Sequence, residues 1–455
     1  MRLQAVVGKP FLLSMTPPPL GRRPMDSSRK NRLWFGWCMY DWANSAFATV
    51  ILAAVLPVYF AALVPAWGAR ITLFGLSRTV PATALWGYAV SLSMLLVALC
   101  APYLGALADR GGKRRSFLVV FALTGAGATA ALFFAGPGNW PLAAGLFILA
   151  NIGFAGGNVF YNAFLPVLAE REEQDRLSAR GFAFGYLGGG LALLLVFVLI
   201  QAHASFGIAD KAVATRIAFL FTGLWWAVFA LPAFRSLKQV PAVPPKSPGE
   251  STGYLKAFLE IRGRRDLLLF LVAFLFYNDG IQTFIAVSAI FGREELGLSQ
   301  GSILGCFLMI QFVAMPGTLL FGRIAERSGA RRSITLTLLV FIAASVYAYF
   351  MRAGWEFWLL GFVVALVYGG AQAVSRSLFS TLIPPEKSAE FFGFYAISAK
   401  FASIFGPLIF AIIADLTGSA RTGIMALAAF FIVGLILLTL VDVDRGRAQA
   451  RGENP

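Results

Sequence analysis

Four ionisable side chains stand where the surrounding sequence is otherwise apolar. They are Asp41 in "CMYDWANSAF", Asp279 in "LFYNDGIQTF", Arg376 in "AQAVSRSLFS" and Lys400 in "YAISAKFASI". At hydrocarbon depth an acid can hold an ammonium group or exchange a proton, and a base can hold a carboxylate or another anion. Charge there is costly and usually marks a substrate or ion path. Polar residues gather around these four at helical spacing. Asp41 is followed by Asn44 and Ser45 at i+3 and i+4. Asn151, Asn158, Tyr161 and Asn162 share one face, and so do Asn278, Asp279, Gln282 and Thr283. Tyr368, Gln372, Ser375 and Arg376 fall at i, i+4, i+7 and i+8. A plainer arrangement serves the same residues: static interhelical ion pairs, with Asn and Ser hydrogen-bonding one helix to the next.

The elements that must position these residues follow from composition. The chain has 455 residues, 58% of them apolar and 13% charged, where a soluble domain carries about 25% charge. So much apolar surface points to a polytopic membrane protein. About 20 apolar residues cross a bilayer, and twelve such runs are predicted: 33–64, 83–107, 116–136, 141–168, 180–203, 216–235, 267–291, 300–322, 333–351, 356–383, 391–414 and 422–441. At 1.5 Å per residue, Asp279 lies roughly 20 Å and Lys400 roughly 15 Å from the cytoplasmic start of their spans. Arg376 is only about 10 Å from its end, close enough to snorkel.

The net charge of +16 does not point to nucleic acid, because the bases sit in short loops. With the N-terminus inside, 29 of the 38 Lys and Arg fall in cytoplasmic segments, as the positive-inside rule requires. Both termini are therefore expected in the cytoplasm. The division expected is a disordered N-terminal tail (1–30), a six-helix bundle (31–236), a cytoplasmic linker (237–263), a second six-helix bundle (264–441) and a C-terminal tail (442–455). The linker contains the Pro-rich "LKQVPAVPPKSPGESTG", and Met25 is a candidate start.

Several chemistries lack their residues. Cys38, Cys100 and Cys306 have no CxxC spacing, and His203 is the single histidine, so neither a metal site nor a His-based catalytic cluster is expected. No GxSxG and no GxxxxGK[ST] is present, which argues against a lipid-handling enzyme such as an acyl or phospholipid transferase and against ATP-driven pumping. No cofactor is expected.

The two halves repeat each other. "YDWANSAF" (40–47) parallels "YNDGIQTF" (277–284). "GALADRGGKRR" (105–115) parallels "GRIAERSGARR" (322–332). "FAGGNVFYNAFLP" (154–166) parallels "YGGAQAVSRSLFSTLIP" (368–384), and "RGFAFGY" (180–186) parallels "FGFYAIS" (392–398). Four matches in the same order across one linker indicate a 6+6 duplication.

The turn Gly105–Arg115 resembles the major facilitator superfamily signature between helices two and three. Gly105, Leu107, Asp109, Arg110, Gly112 and the bases Lys113, Arg114 and Arg115 all fit it. The second copy keeps Gly322 and Arg327 but has Ile324 for Leu and Glu326 for Asp. "YDWANSAFATVI", "YNAFLP", "GYLGGG", "SRSLFSTLIPP" and "EFFGFYAISAKFASIFGP" resemble the subfamily that includes the fungal vacuolar amino-acid effluxers linked to autophagy. This resemblance spans roughly residues 31–441. It implies an all-α integral membrane protein with twelve transmembrane helices in two pseudo-symmetric six-helix bundles. It also implies a central cavity lined by helices one, four, seven and ten, which are the striped ones, and a contact of Asp109 with the start of helix eleven near Ala389–Phe392.

The function expected is secondary transport by alternating access of a small polar solute, an amino acid or similar zwitterion, coupled to protons. Asp41, Asn44, Asn158, Tyr161, Asn162, Asn278, Asp279, Gln282, Gln372, Arg376 and Lys400 would hold solute or coupling ion. Gly105, Asp109, Arg110, Gly112, Arg114, Gly322, Glu326 and Arg327 would form the gate. Partners expected are the solute, protons and membrane lipids, with the protein a monomer and multi-pass, in the plasma (inner) membrane if bacterial. The alternatives are a sensor on the same fold and a lipid-handling enzyme.

Overall fold

A computed structural model describes residues 26–73, 76–241, 254–417 and 419–453. With no water to bond a peptide group inside a bilayer, a spanning chain must satisfy its backbone internally, and this one does so almost entirely as helix. In the first half, α1 (Ser27–Ala46) continues through a π-helical stretch (Phe47–Val55) into α2 (Leu56–Leu63). A hairpin of β1 (Ala69–Leu73) and β2 (Leu76–Val80) follows. Then come α3 (Ala82–Arg110), α4 (Arg114–Ala131), α5 (Trp140–Asn162), the short α6 (Leu165–Leu168), α7 (Arg171–Gln201) and α8 (Lys211–Ser236). The second half has α9 (Tyr254–Gly263), α10 (Arg265–Glu294), α11 (Gln300–Ser328), α12 (Ala330–Phe350), α13 (Gly354–Thr381), α14 (Ser388–Thr417), α15 (Ala420–Thr439) and α16 (Val443–Arg451).

Among the described residues, eleven helices are long and apolar enough to cross a membrane, α1 to α2 counting as one. The sequence predicts twelve. The remaining one corresponds to α14, a helix of 30 residues that contains the shorter apolar stretch Phe405–Ala414. Leu92, Leu95 and Leu99 of α3 and Leu408, Ile412 and Leu416 of α14 are exposed on the protein, apolar surface of the kind that acyl chains cover.

The duplication read in the sequence is visible in the packing. In the first half α1 packs on α7 and α8, α4 on α5 and α8, and α3 on α5. In the second half α10 packs on α14 and α15, α12 on α13 and α15, and α11 on α13. The halves meet along two equivalent seams, α7 against α11 and α14 against α3. Each seam joins the fifth long helix of one half to the second of the other.

Several boundaries differ from the sequence reading. Helix α7 begins at Arg171 rather than at 180, because "REEQDRLSA" is helical without being apolar. Its Glu172 and Glu173 lie in the first turn, where acids complement the helix dipole. The hairpin is unpredicted, since its strands are too short to stand out. Ser27–Lys30, assigned to the tail, form the first turn of α1. Residues 1–25, including Met25, and the Pro-rich core 242–253 of the linker lie outside the described residues.

The C-terminal tail also departs from expectation, because much of it is the helix α16. Asp266, with 0% of its surface exposed, accepts from Arg445 Nε and Nη2 at 2.6 and 2.8 Å and from the Asp442 amide at 2.9 Å. Arg264 donates to the Gln449 carbonyl at 3.2 Å and, from the first half, Arg171 donates to the Arg447 carbonyl at 3.2 Å. Bidentate charged bonds of this kind are the strong ones. Asp266→Ala is therefore expected to release α16, so that trypsin cuts at Arg445, Arg447 and Arg451 at least about tenfold faster than in the parent. An unchanged cleavage rate on a time-course gel would show that other contacts hold the helix.

Candidate functional site

Arg376 on α13 leaves its own half and enters the other. Its side chain is 3% exposed, so it does not snorkel to the surface. Nη1 donates to Asp41 Oδ2 on α1 at 3.3 Å and to Asn162 Oδ1 on α5 at 3.2 Å. Nε donates to Ser178 Oγ on α7 at 2.9 Å and Nη2 to the Ser178 carbonyl at 2.8 Å. One side chain thus ties three helices of the opposite half. Its guanidinium also lies 4.2 Å from the Phe182 ring centre, 4.9 Å from Trp37 and 5.5 Å from Tyr161, inside cation–π range.

The aromatic walls are themselves fixed. Trp37 and Tyr161 stack at 4.4 Å, and the Trp37 Nε1–H donates to the Tyr161 carbonyl at 3.1 Å. The Tyr161 hydroxyl donates to Asp41 Oδ2 at 2.7 Å. Asp41 therefore faces one cation and one hydroxyl, both at the same oxygen.

The other striped residues divide between the halves. The Asn44 amide donates to Asn158 Oδ1 at 2.7 Å, joining α1 to α5. In the second half, Gln372 donates to Asn278 Oδ1 at 3.5 Å, Asn278 donates to the Ala399 carbonyl at 3.4 Å, and Tyr277 shares a 2.6 Å bond with Ser375. Gln282 is half-buried on α10. Across the seam, the rings of Tyr186 and Tyr368 lie 5.8 Å apart. The structure does not bring Asp279 to Asp41 or to Arg376. Asp279 accepts from the Gly406 backbone amide on α14 at 2.8 Å and from the Thr283 hydroxyl at 3.4 Å. Lys400 is part of α14, but its side chain lies outside the described residues.

The signature turn joins α3 to the start of α14 across the other seam. Asp109, at the end of α3, takes a bond from Arg114 Nε and accepts from the Ala389 and Glu390 amides at 3.3 and 3.1 Å. Those amides are the unsatisfied first donors of α14, and a carboxylate there also meets the positive end of the helix dipole. Arg114 Nη2 reaches on to the Pro385 and Glu386 carbonyls at 2.8 and 2.9 Å. Gly105 makes the approach possible, since a Cβ there would lie 2.4 Å from the Ala389 carbonyl oxygen. Gly112 holds the turn at φ 58°, a conformation that favours glycine. Arg110 is exposed.

The second copy is not equivalent. Gly322 meets α7 at Ala179, but Glu326 makes only a 3.9 Å pair with Arg176 and its side chain is 34% exposed, against 6% for Asp109. Arg331, which matches Arg114, turns to the Val441 carbonyl of its own half. Arg327 is exposed.

Sequence reasoning missed Ser178, which takes two of the Arg376 donors, and Asp175, which accepts from the Ser377 hydroxyl across the same seam. Both lie in the polar turns of α7 that hydropathy placed outside the span. Among the described residues, no group of three His, Cys, Asp or Glu is arranged to hold a metal.

Comparison with known proteins gives a consistent outcome. The family described as "Vacuole effluxer Atg22 like" matches residues 28–451. The MFS-type transporter YxiO of Bacillus subtilis (strain 168) is 34% identical over 92% of this chain and 96% of its own length. Autophagy-related protein 22 of Coccidioides immitis is 26% identical over 95% of this chain and 90% of its own. Among solved structures, the Escherichia coli fucose:proton symporter FucP superposes with a TM-score of 0.70 at 13% identity, covering 91% of this chain and 99% of FucP. The human organic anion transporter MFSD10 gives 0.67 at 16% identity, covering 92% of this chain and all of that one. At these identities the two structures speak for the fold.

The Arg376 cluster yields a stability prediction. Arg376→Ala leaves Asp41 buried without its cation, which costs about 3–5 kcal/mol for a buried pair. Thermal unfolding in detergent should show a large fall in Tm for Arg376→Ala and a smaller one for Asp41→Asn. The double variant should be more stable than the sum of the two losses predicts. Additive losses would mean that the two side chains do not interact.

Proposed function

Since the chain belongs to the Atg22-like vacuole effluxer family of the major facilitator superfamily, we propose that it moves a small polar solute across the membrane by alternating access. It is a multi-pass integral membrane protein, and its likeness to a bacterial transporter supports residence in a plasma membrane. The solute class we favour is an amino acid or similar zwitterion, driven by protons. The end bearing the signature turn faces the cytoplasm in this reading, as the distribution of Lys and Arg supports.

The observation that carries the proposal is the character of the seam. A static interface between bundles is served well by apolar packing. Here the halves are joined at one end by charged hydrogen bonds, Arg376 to Asp41 and Asp109 to the start of α14, each of which can be exchanged for water when the end opens. Deeper in, Asn44, Asn158, Asn278, Gln372 and Asp279 offer donors and acceptors to a polar solute. Asp279 is the residue we assign to proton coupling, because it is buried and, among the described residues, pairs with no cation.

Three measurements test this. A thermal-shift screen of purified protein against amino acids, nucleosides, sugars and drugs should show stabilisation by one zwitterionic class, and counterflow of that compound in proteoliposomes should follow. No exchange of any stabilising compound would leave a sensor rather than a transporter. With the solute in hand, Asp279→Asn should abolish accumulation driven by a proton gradient while sparing exchange; intact accumulation removes Asp279 from coupling. Asp109→Ala should slow exchange roughly tenfold or more with little change in affinity, because it frees α14 from its cap without touching the solute path. A parental rate would make the contact dispensable.

A further inference from the structure

Helix α14 is held by both halves. Its first turns are fixed to α3 of the opposite half, and Tyr395 also stacks on Phe274 and Phe379 of its own half. Asp109 accepts from the Ala389 and Glu390 amides, and a Cβ on Gly393 would lie 2.7 Å from the Pro102 nitrogen, so the two backbones nearly touch. Its later turns belong to their own bundle. The Gly406 amide donates to Asp279 on α10, and the Phe410 ring sits against Gly423 of α15, 2.8 Å from where a Cβ would stand. The second attachment begins at Gly406–Pro407.

That dipeptide is a weak point in the helix. Pro407 has no N–H for the carbonyl four residues before it, and its ring crowds that carbonyl, which kinks helices. Gly406 has no room for a side chain, because a Cβ would lie 2.1 Å from Thr283 Oγ1 and 2.6 Å from Asp279 Oδ1. The carboxylate of Asp279 is therefore seated against the backbone where the helical ladder is interrupted. Thr283 and the Gly406 amide face it. Among the described residues no charged side chain does, the Lys400 side chain being outside them.

We propose that Gly406–Pro407 is a hinge in α14 and that Asp279 is the positioning residue that clasps it. This rests on the reading of the chain as an alternating-access transporter and gives Asp279 a mechanical role within it. An ionised carboxylate accepts the Gly406 amide strongly; a neutral side chain accepts it weakly, and the clasp loosens. The first segment of α14 can then turn against the second and carry Ala389 and Glu390 away from Asp109. The state of a buried acid thus reaches the closed end of the seam through one helix.

The test uses the full-length protein with Cys100→Ser and spin labels on cysteines placed at Lys113 and Arg332, exposed positions in the two signature turns. Pulsed electron resonance reads the distance between the halves at that end. Asp279→Asn and Pro407→Ala are each expected to change the distance distribution, Asp279→Asn adding a longer-distance population of about a tenth of the molecules or more. The double variant should match one of the singles, because both act on one hinge. Distributions identical to the parent, or shifts that simply add, overturn the proposal. If Asp279→Asn does not fold, Pro407→Ala alone decides, an unchanged distribution being fatal. Proton movement into vesicles loaded with a pH-sensitive dye separates the two readings. Lost proton movement with unchanged distances refutes the hinge and keeps the coupling role. Changed distances with proton movement intact keep the hinge and refute coupling.

Discussion

The contact between the two halves turns on a guanidinium that reaches out of its own half. Arg376 spends its donors on Asp41, Asn162 and Ser178, which belong to α1, α5 and α7 of the other bundle. Burying an isolated cation costs several kcal/mol, and the pocket that receives Arg376 offsets this with four hydrogen bonds. Trp37, Tyr161 and Phe182 supply polarisable walls, and the Tyr161 hydroxyl steadies the carboxylate. Each component is oriented by another, which makes the pair geometrically specific rather than merely attractive.

The second seam solves the same problem with a different donor. Asp109 binds no side chain of the opposite half; it binds the backbone amides that every helix start leaves free. Gene duplication would give both seams the same solution, yet only the first signature turn keeps it. Glu326 is one methylene longer, half-exposed, and paired loosely with Arg176, while Arg331 has turned back to its own half. On that side of the molecule α13 is tied to α7 by Arg376 with Ser178 and by Ser377 with Asp175. Two symmetric seams have thus diverged into one clamped by a helix cap and one clamped by a buried ion pair.

Much of this was legible in the sequence. Twelve apolar runs, the loop bases and four repeated motifs give the membrane class and the duplicated fold, because hydrophobic length and repetition are local properties. The stripes on α1, α5, α10 and α13 were visible for the same reason. Partnership could not be read, apart from the contact of Asp109 with the start of α14 that the family resemblance implies. Arg376 lies near a helix end, where a long side chain normally reaches out to the headgroups, and only the tertiary placement of α7 turns it inward. That placement depends on Ser178, in a segment too polar for any hydropathy window to count as spanning. The helix α16 was missed because the contacts that hold it, led by Asp266 with Arg445, are long-range.

The two acids in the middle of the bundles are held in opposite ways. Asp41 is neutralised by a cation from the other half, so any change in its charge must disturb the seam directly. Asp279 is held by an amide and a hydroxyl of its own half, and can change its charge without first separating the bundles. The second environment suits the proton coupling proposed for Asp279, and the first ties Asp41 to the seam. Duplication supplied two helices with the same polar beginning, "YDWAN" and "YNDGI". A one-residue difference in where the carboxylate falls then put one acid on the seam and the other against Gly406 of α14.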